Sequence, residues 1–161
     1  MKTTNNDEVF YDKIKTPLGI ITLGASNKGL KSIQWGSKKR NYQPKHPILK
    51  KTKIQLSEYF EGKRHKFDIP LVIDGTDFQK SAWQALRKIP YGKTISYGQQ
   101  AKALGKSQAA RAVGSANGKN PLPIIIPCHR VITATGKLGG FTGGLQKKTT
   151  LLDIENRGIS Q

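Results

Sequence analysis

The chain has 161 residues, with 28 Lys or Arg against 10 Asp or Glu and a formal net charge of +18. That length allows a sizeable core, in one domain or two small ones, and a hydrophobic content of 35% is low but globular. One cysteine excludes an internal disulfide and a cysteine-rich zinc site. The N-terminal MKTTNNDEVFYDKIK lacks the apolar stretch of a signal peptide, and the longest aliphatic run, Ile124–Ile126, is far too short to span a bilayer. A cytoplasmic protein without membrane contact is expected.

Residues 8–36 read as three short strands. VFYDKIK and GIITLGAS flank a Thr16-Pro17-Leu18-Gly19 turn, and GLKSIQW follows an Asn27-Lys28-Gly29 turn, which predicts an antiparallel meander. Pro47 opens a helix over 47–61, with Ile48, Leu49, the Lys53 stem, Leu56 and Phe60 at roughly helical spacing and Gly62 as the stop. KFDIPLVID reads as extended and ends at Gly75. Together these predict an α+β N-terminal domain over residues 1–75.

From Thr76 the pattern turns helical. Thr76 and Gln79 have the spacing of a capping box for a helix through about Lys88, with Phe78, Ala82, Ala85 and Leu86 facing inward. Ser96 and Gln99 repeat that spacing for a second helix, which stops at Gly105. Ser107 is expected to cap a third, QAARAVGSAN, ending at Gly118. The short Gly105-Lys106 connection has the length and glycine content of a helix-turn-helix, although an ordinary helical hairpin has them too. On the third helix Ala109, Ala112, Val113 and Ala116 are expected to pack. Gln108, Arg111, Gly114 and Ser115 would leave an outer face that is smooth apart from one long cation. Residues 120–136 read as extended, a glycine-rich loop follows, and a last helix is expected from Gln146 to Asn156 with Gly158 as its stop.

Charge is unevenly placed. Residues 78–152 hold twelve Lys or Arg and no Asp or Glu. Such a run makes a positive field that draws polyanions, and nucleic acid fits it better than a membrane because no basic amphipathic helix is present. Two phosphate-loop fragments, Gly92-Lys93-Thr94 and Gly105-Lys106-Ser107, fail because Arg87 and Gln100 stand where the earlier glycine is needed. The histidines His46, His65 and His129 show no metal-ligand spacing.

The lone Cys128 lies in PLPIIIPCHRV. A single cysteine is most often a small buried hydrophobe. Here His129 is a candidate base, and nearby cations favour thiolate. In an extended 127–130 segment Cys128 and His129 would point to opposite faces, so a bridging water or a turn at Pro127 is required.

PCHRV resembles the active-site motif of the O6-alkylguanine-DNA alkyltransferases. The resemblance continues through ISYGQQAKALG, AARAVGSANGKNP, IIIPCHRVI and GGFTGGLQKKTTLL, covering residues 76–156 in order and spacing, and extends more loosely over 1–75. It implies an α+β fold: an N-terminal ribonuclease H-like three-stranded antiparallel sheet with a helix, then a helical domain over 76–161 with a winged-helix-like helix-turn-helix. The implied activity is single-turnover transfer of an alkyl group from O6-alkylguanine in double-stranded DNA to a cysteine, with O4-alkylthymine as a further substrate. DNA is met from the minor groove and the base is flipped out, since its reacting atom cannot be reached inside the stack. No cofactor and no metal are implied. The protein is expected as a monomer, with cooperative placement on DNA left open.

By matching motif positions the resemblance makes Cys128 the nucleophile, with His129 taking its proton through water and Glu155 orienting that histidine. It implies that Asn120 shapes the thiol turn and that Tyr97 lies by the target phosphate and can protonate the leaving guanine. Arg111 would enter the space of the flipped base. Gly98, Lys106, Gly114 and Ser115 would contact DNA. Main-chain groups of Cys128 and Val131, with Phe141 and Thr142, would form the alkylguanine pocket. Some members carry Tyr and Ser where this chain has Phe141 and Thr142, so a hydroxyl is lost. Non-reactive relatives replace the cysteine, usually by tryptophan; Cys128 places this chain with the reactive group. Three readings compete: a helix-turn-helix regulator with a structural cysteine, a thiol hydrolase, and a lesion binder that does not react.

Overall fold

Three strands open the fold: β1 (Phe10–Thr16), β2 (Gly19–Ser26) and β3 (Gly29–Trp35). The computed structural model describes residues 8–159, and the outer ends of the expected domains, 1–7 and 160–161, lie outside the described residues. The strands pair antiparallel in the order β1-β2-β3, with Thr16 opposite Gly19 and Ser26 opposite Gly29, so each turn falls where the sequence predicts it. Helix α1 (Pro47–Phe60) covers one face. Its Lys53 ammonium lies 3.0 Å from the buried Asp12 carboxylate of β1. His46 caps α1, accepting from the Ile48 amide, and Leu49, Leu56 and Tyr59 are its buried apolar side chains. Phe60, which the sequence places at the helical spacing, is only half-buried, and Tyr59 is the buried aromatic. Each edge strand is met at one residue by an isolated parallel bridge, Tyr42 beside Tyr11 on β1 and Leu71 beside Leu30 on β3.

The chain divides into two compact units between Ile73 and Asp74. In the second, α2 (Asp77–Arg87) and α3 (Tyr97–Ala103) carry the two capping boxes expected at Thr76/Gln79 and Ser96/Gln99. The ties between helices are buried polar ones. The Trp83 indole donates to the Ala116 carbonyl at 2.9 Å, and the Gln100 and Asn117 amides donate to each other at 3.0 and 2.8 Å. Polar groups buried this way are satisfied only in one arrangement, which fixes the helix crossings.

Helix α4 (Ala110–Gly118) departs from expectation. Ser107 does not cap it; the Ala109 amide closes a turn on the Lys106 carbonyl at 2.8 Å, and the helix begins only after that turn. Ala112, expected to pack, is exposed, and Asn117 takes the inner position. Apart from Val131–Ile132, residues 120–136 are not extended. They run through turns, with Ile124 at φ 77°, into a 3-10 turn at Cys128–Arg130. Strand β5 (Val131–Ile132) then pairs in parallel with β4 (Ile95–Ser96), which sets the start of α3 beside the cysteine turn.

Helix α5 (Leu145–Ile159) also corrects the sequence reading, because Gly158 lies inside it rather than ending it. A Cβ at Gly158 would sit 2.1 Å from the Tyr91 hydroxyl oxygen, so glycine is needed for close approach. For Gly158→Ala, the helix-propensity gain of about 1 kcal/mol opposes an overpacking cost of about 1–3 kcal/mol, and the overlap is severe enough for the cost to win. Thermal denaturation should show a lower Tm; an unchanged or higher Tm would contradict this role.

Candidate active site around Cys128

The 3-10 turn resolves the geometric difficulty of a strand. It winds Cys128, His129 and Arg130 around one axis and buries all three. Asn120 holds the turn from inside: its amide donates to the Ile126 carbonyl at 2.7 Å and its oxygen accepts from the Leu122 amide at 2.9 Å. Ile124 is β-branched, buried and in the left-handed region. Such a conformation costs on the order of 1–3 kcal/mol and persists only where surroundings impose it.

Burial pushes the Cys128 thiol above its ordinary pKa. The Asn120 side chain, by hydrogen bond, and the Lys148 ammonium, by charge, pull the other way. The ammonium is itself buried and donates to three carbonyls: Val131 at 2.7 Å, Gly140 at 3.1 Å, and Leu138. One cation thus ties β5 to the glycine-rich loop and faces the thiol.

His129 is fully buried. Its Nε2 lies 2.6 Å from Glu155 Oε2, and its Nδ1 has no hydrogen-bond partner among the described residues. Burial lowers its pKa; Glu155 opposes this, and Arg130 and Lys148 reinforce it. The ring is therefore neutral, with Nε2–H donated to Glu155 and an open lone pair on Nδ1. Arg130 grips the same carboxylate from Nε at 2.8 Å and Nη2 at 3.0 Å, while its Nη1 donates to the Ile89 carbonyl at 2.6 Å. The Gly92 amide adds another donor to Glu155, at 3.1 Å. Burial alone would raise the Glu155 carboxyl, but the His129 hydrogen bond and the Arg130 guanidinium outweigh it and hold the group well below the usual carboxylate range.

In front of the thiol lies a cavity of about 410 Å3, within the size range of small-molecule sites. Tyr97, Gly114, Asn117, Gly118, Cys128, Gly140, Phe141 and Thr142 line it. The Tyr97 ring packs on Gly114, and a Cβ at Gly139 would sit 2.7 Å from its hydroxyl oxygen, so the loop reaches the tyrosine only because residue 139 is glycine.

Of the residues expected from sequence, Cys128, Tyr97, Gly114, Phe141 and Thr142 meet at this cavity, with Asn120, His129 and Glu155 buried around the thiol. Val131 does not line it: the residue is fully buried, and its carbonyl accepts from Lys148. Gly98, Lys106, Arg111 and Ser115 are exposed, and the Lys106 ammonium lies 5.3 Å from the Phe78 ring centroid. Sequence reasoning assigned no role to Lys148, to the Arg130 clamp, or to Asn117. For Lys148 a signal existed: it lies three, four and seven residues before Leu151, Leu152 and Glu155, on the inward face of α5.

Residues 77–157 match the family model described as the 6-O-methylguanine DNA methyltransferase DNA binding domain, and residues 9–73 match that enzyme's ribonuclease-like domain. The methylated-DNA--protein-cysteine methyltransferase of Methanosarcina barkeri is 44% identical over 157 residues, which is 94% of this chain and 99% of that protein. Its counterpart from Mycolicibacterium paratuberculosis is 43% identical over 91% of this chain and 92% of its own. Among solved structures, Mycobacterium tuberculosis OGT in complex with DNA superposes with a TM-score of 0.87 at 42% identity, covering 92% of this chain and 94% of that one. The chain belongs to the 6-O-methylguanine DNA methyltransferase family.

Proposed function

We propose that this protein repairs DNA by direct reversal, taking the alkyl group of O6-alkylguanine onto Cys128 in a single irreversible turnover. The observation that carries this reading is the buried chain of groups behind the thiol: Cys128 at a cavity, a neutral His129 with an unpartnered Nδ1, and Glu155 fixing its Nε2–H. The cysteine proton passes through a water to Nδ1, and the imidazolium so formed is stabilised by Glu155. Sγ attacks the alkyl carbon, an S–C bond forms as the C–O6 bond breaks, and the guanine keeps the bonding electron pair. Tyr97, in the cavity wall, donates a proton to the departing base. The product is a thioether, which water does not hydrolyse, so the protein is consumed. The cavity mouth at Phe141 and Thr142 receives the base, with main-chain groups of Cys128 reading its edge.

The base must leave the stack to reach this cavity. Helix α4 presents Arg111, Ala112 and Ser115 on an exposed face, smooth enough to enter a minor groove, with Arg111 filling the space of the extruded base. Gly98, Lys106, Gly114 and Ser115 contact the strand around it. The reading assigns these tasks to a DNA-binding, alkyl-accepting domain over 76–161 that follows an α+β domain over 1–75, in a protein acting as a monomer. Among the described residues no helix is long and apolar enough to cross a membrane.

Arg111→Ala tests the assignment. Because base extrusion costs a few kcal/mol, repair of a duplex lesion should slow on the order of tenfold to a hundredfold, while alkyl transfer from free O6-benzylguanine stays unchanged. Equal rates on duplex DNA for the variant and its parent would sink the intercalating role.

A further inference from the structure

The positive charge of this protein is not confined to the unit that carries the helix-turn-helix. Residues 1–73 hold fifteen Lys or Arg against six Asp or Glu. Part of that excess is gathered in one place. A cleft of about 690 Å3 on the first unit is lined by Lys13, Lys38, Lys39, Arg40 and Tyr42, with Ser37 and Asn41, and holds no acidic side chain.

The cleft is built rather than incidental. Lys13 lies on β1 next to Asp12, but successive strand residues face opposite ways, and Asp12 is buried against Lys53 on the α1 side. Among the described residues no carboxylate pairs with Lys13, Lys38, Lys39 or Arg40. Two of these cations are set over rings: the Lys13 ammonium 5.2 Å from the Tyr42 centroid, and the Arg40 guanidinium 5.3 Å from that of Tyr11. The segment that carries the others is fastened at several points. Thr22 Oγ1 donates to the Gly36 carbonyl at 2.7 Å and accepts from the Lys38 amide at 3.2 Å. The Tyr42 hydroxyl donates to the Lys38 carbonyl, and the Gln43 amide to the Tyr11 carbonyl at 2.8 Å. Crowding four cations without a counter-ion is unfavourable for the free protein, and holding two of them over rings lowers the ordering cost when an anion arrives.

We infer that this cleft is a second phosphate-backbone site for duplex DNA, separate from the helix-turn-helix. The inference rests on the reading that the protein works on duplex DNA. Lys38, Lys39 and Arg40 each take a phosphate, and Lys13 deepens the field. The contact carries no sequence information and no lesion preference; it adds to affinity and to its salt dependence.

The test is the triple variant Lys38→Gln/Lys39→Gln/Arg40→Gln, all at exposed positions. Binding of an undamaged duplex is measured across a salt series, beside a control that neutralises the exposed Lys28, Lys50 and Lys66 of the same unit. With each phosphate contact worth about 0.9 in the slope of log affinity against log salt, the cleft variant should lose about two to three slope units. Its affinity near 0.1 M salt should fall on the order of tenfold to a hundredfold, and the control should change little. Alkyl transfer from free O6-benzylguanine should be unchanged in both, which separates a failure of this site from a failure of the repair reading. An unchanged slope, or an equal loss in the control, would overturn the inference; the second result would assign the effect to net charge alone.

Discussion

Replacing Glu155 by glutamine is expected to remove about 3–5 kcal/mol of folding stability and to slow alkyl transfer by at least about a hundredfold. The two losses have one cause. Glu155 is 1% exposed and neutralises the buried Arg130 guanidinium through two hydrogen bonds. Glutamine preserves the shape but leaves that cation uncompensated inside the protein. It also removes the charge that stabilises the imidazolium, and its one acceptor oxygen can serve only one of the two donor pairs, Arg130 Nε with the Gly92 amide or His129 Nε2 with Arg130 Nη2. The cluster further predicts acid sensitivity with a definite sign. His129 resists protonation when folded, so below its ordinary 6.5 the unfolded chain binds more protons and stability falls as pH drops. Glu155, held below its ordinary 4.5, adds a second loss as pH falls past that value, and the glutamine variant lacks this second loss. Urea unfolding from pH 7.5 to 2, with single-turnover rates at neutral pH, measures all three effects. A variant as stable and as fast as its parent would refute the role.

Lys148→Met should give the second largest effect, and here pH distinguishes chemistry from architecture. The substitution keeps an unbranched apolar stem but deletes the charge facing Cys128. It also leaves the Val131, Leu138 and Gly140 carbonyls without that donor. A neighbouring charge shifts a pKa by about one to three units. Transfer at neutral pH should therefore slow by about tenfold or more and recover as pH is raised. Iodoacetamide labelling of Cys128 should titrate at higher pH in the variant. A slow variant with an unmoved labelling profile would mean that Lys148 only braces the loop.

Local signals in the sequence reached far into this fold. The two hairpin turns and both capping boxes are chemistry between residues two or three apart, and they stand as read. The thiol site was legible as residues but not as geometry. PLPIIIPCHRV reads as extended, since isoleucine and proline favour extended backbone, yet most of it folds into turns. What overrides that preference is the Asn120 side chain, which bonds both the Leu122 amide and the Ile126 carbonyl and so folds the segment back on itself. No local pattern announces an isoleucine at φ 77°. Gly158 was misread for a related reason, since a glycine near a helix end signals a stop unless a distant side chain, here Tyr91, needs its space. Lys148 belongs to an exposed-looking Lys147-Lys148 pair, and only the three carbonyls of other segments make one of the two a buried cation.

Intact-mass spectrometry after incubation with duplex DNA bearing O6-methylguanine tests the central claim most directly. The account predicts a gain of one methyl group per molecule, mapped to Cys128, with lesions lost in equal number and no gain in Cys128→Ala, which still binds DNA. Unmodified protein after the lesions have gone, or many lesions cleared per molecule, would contradict it.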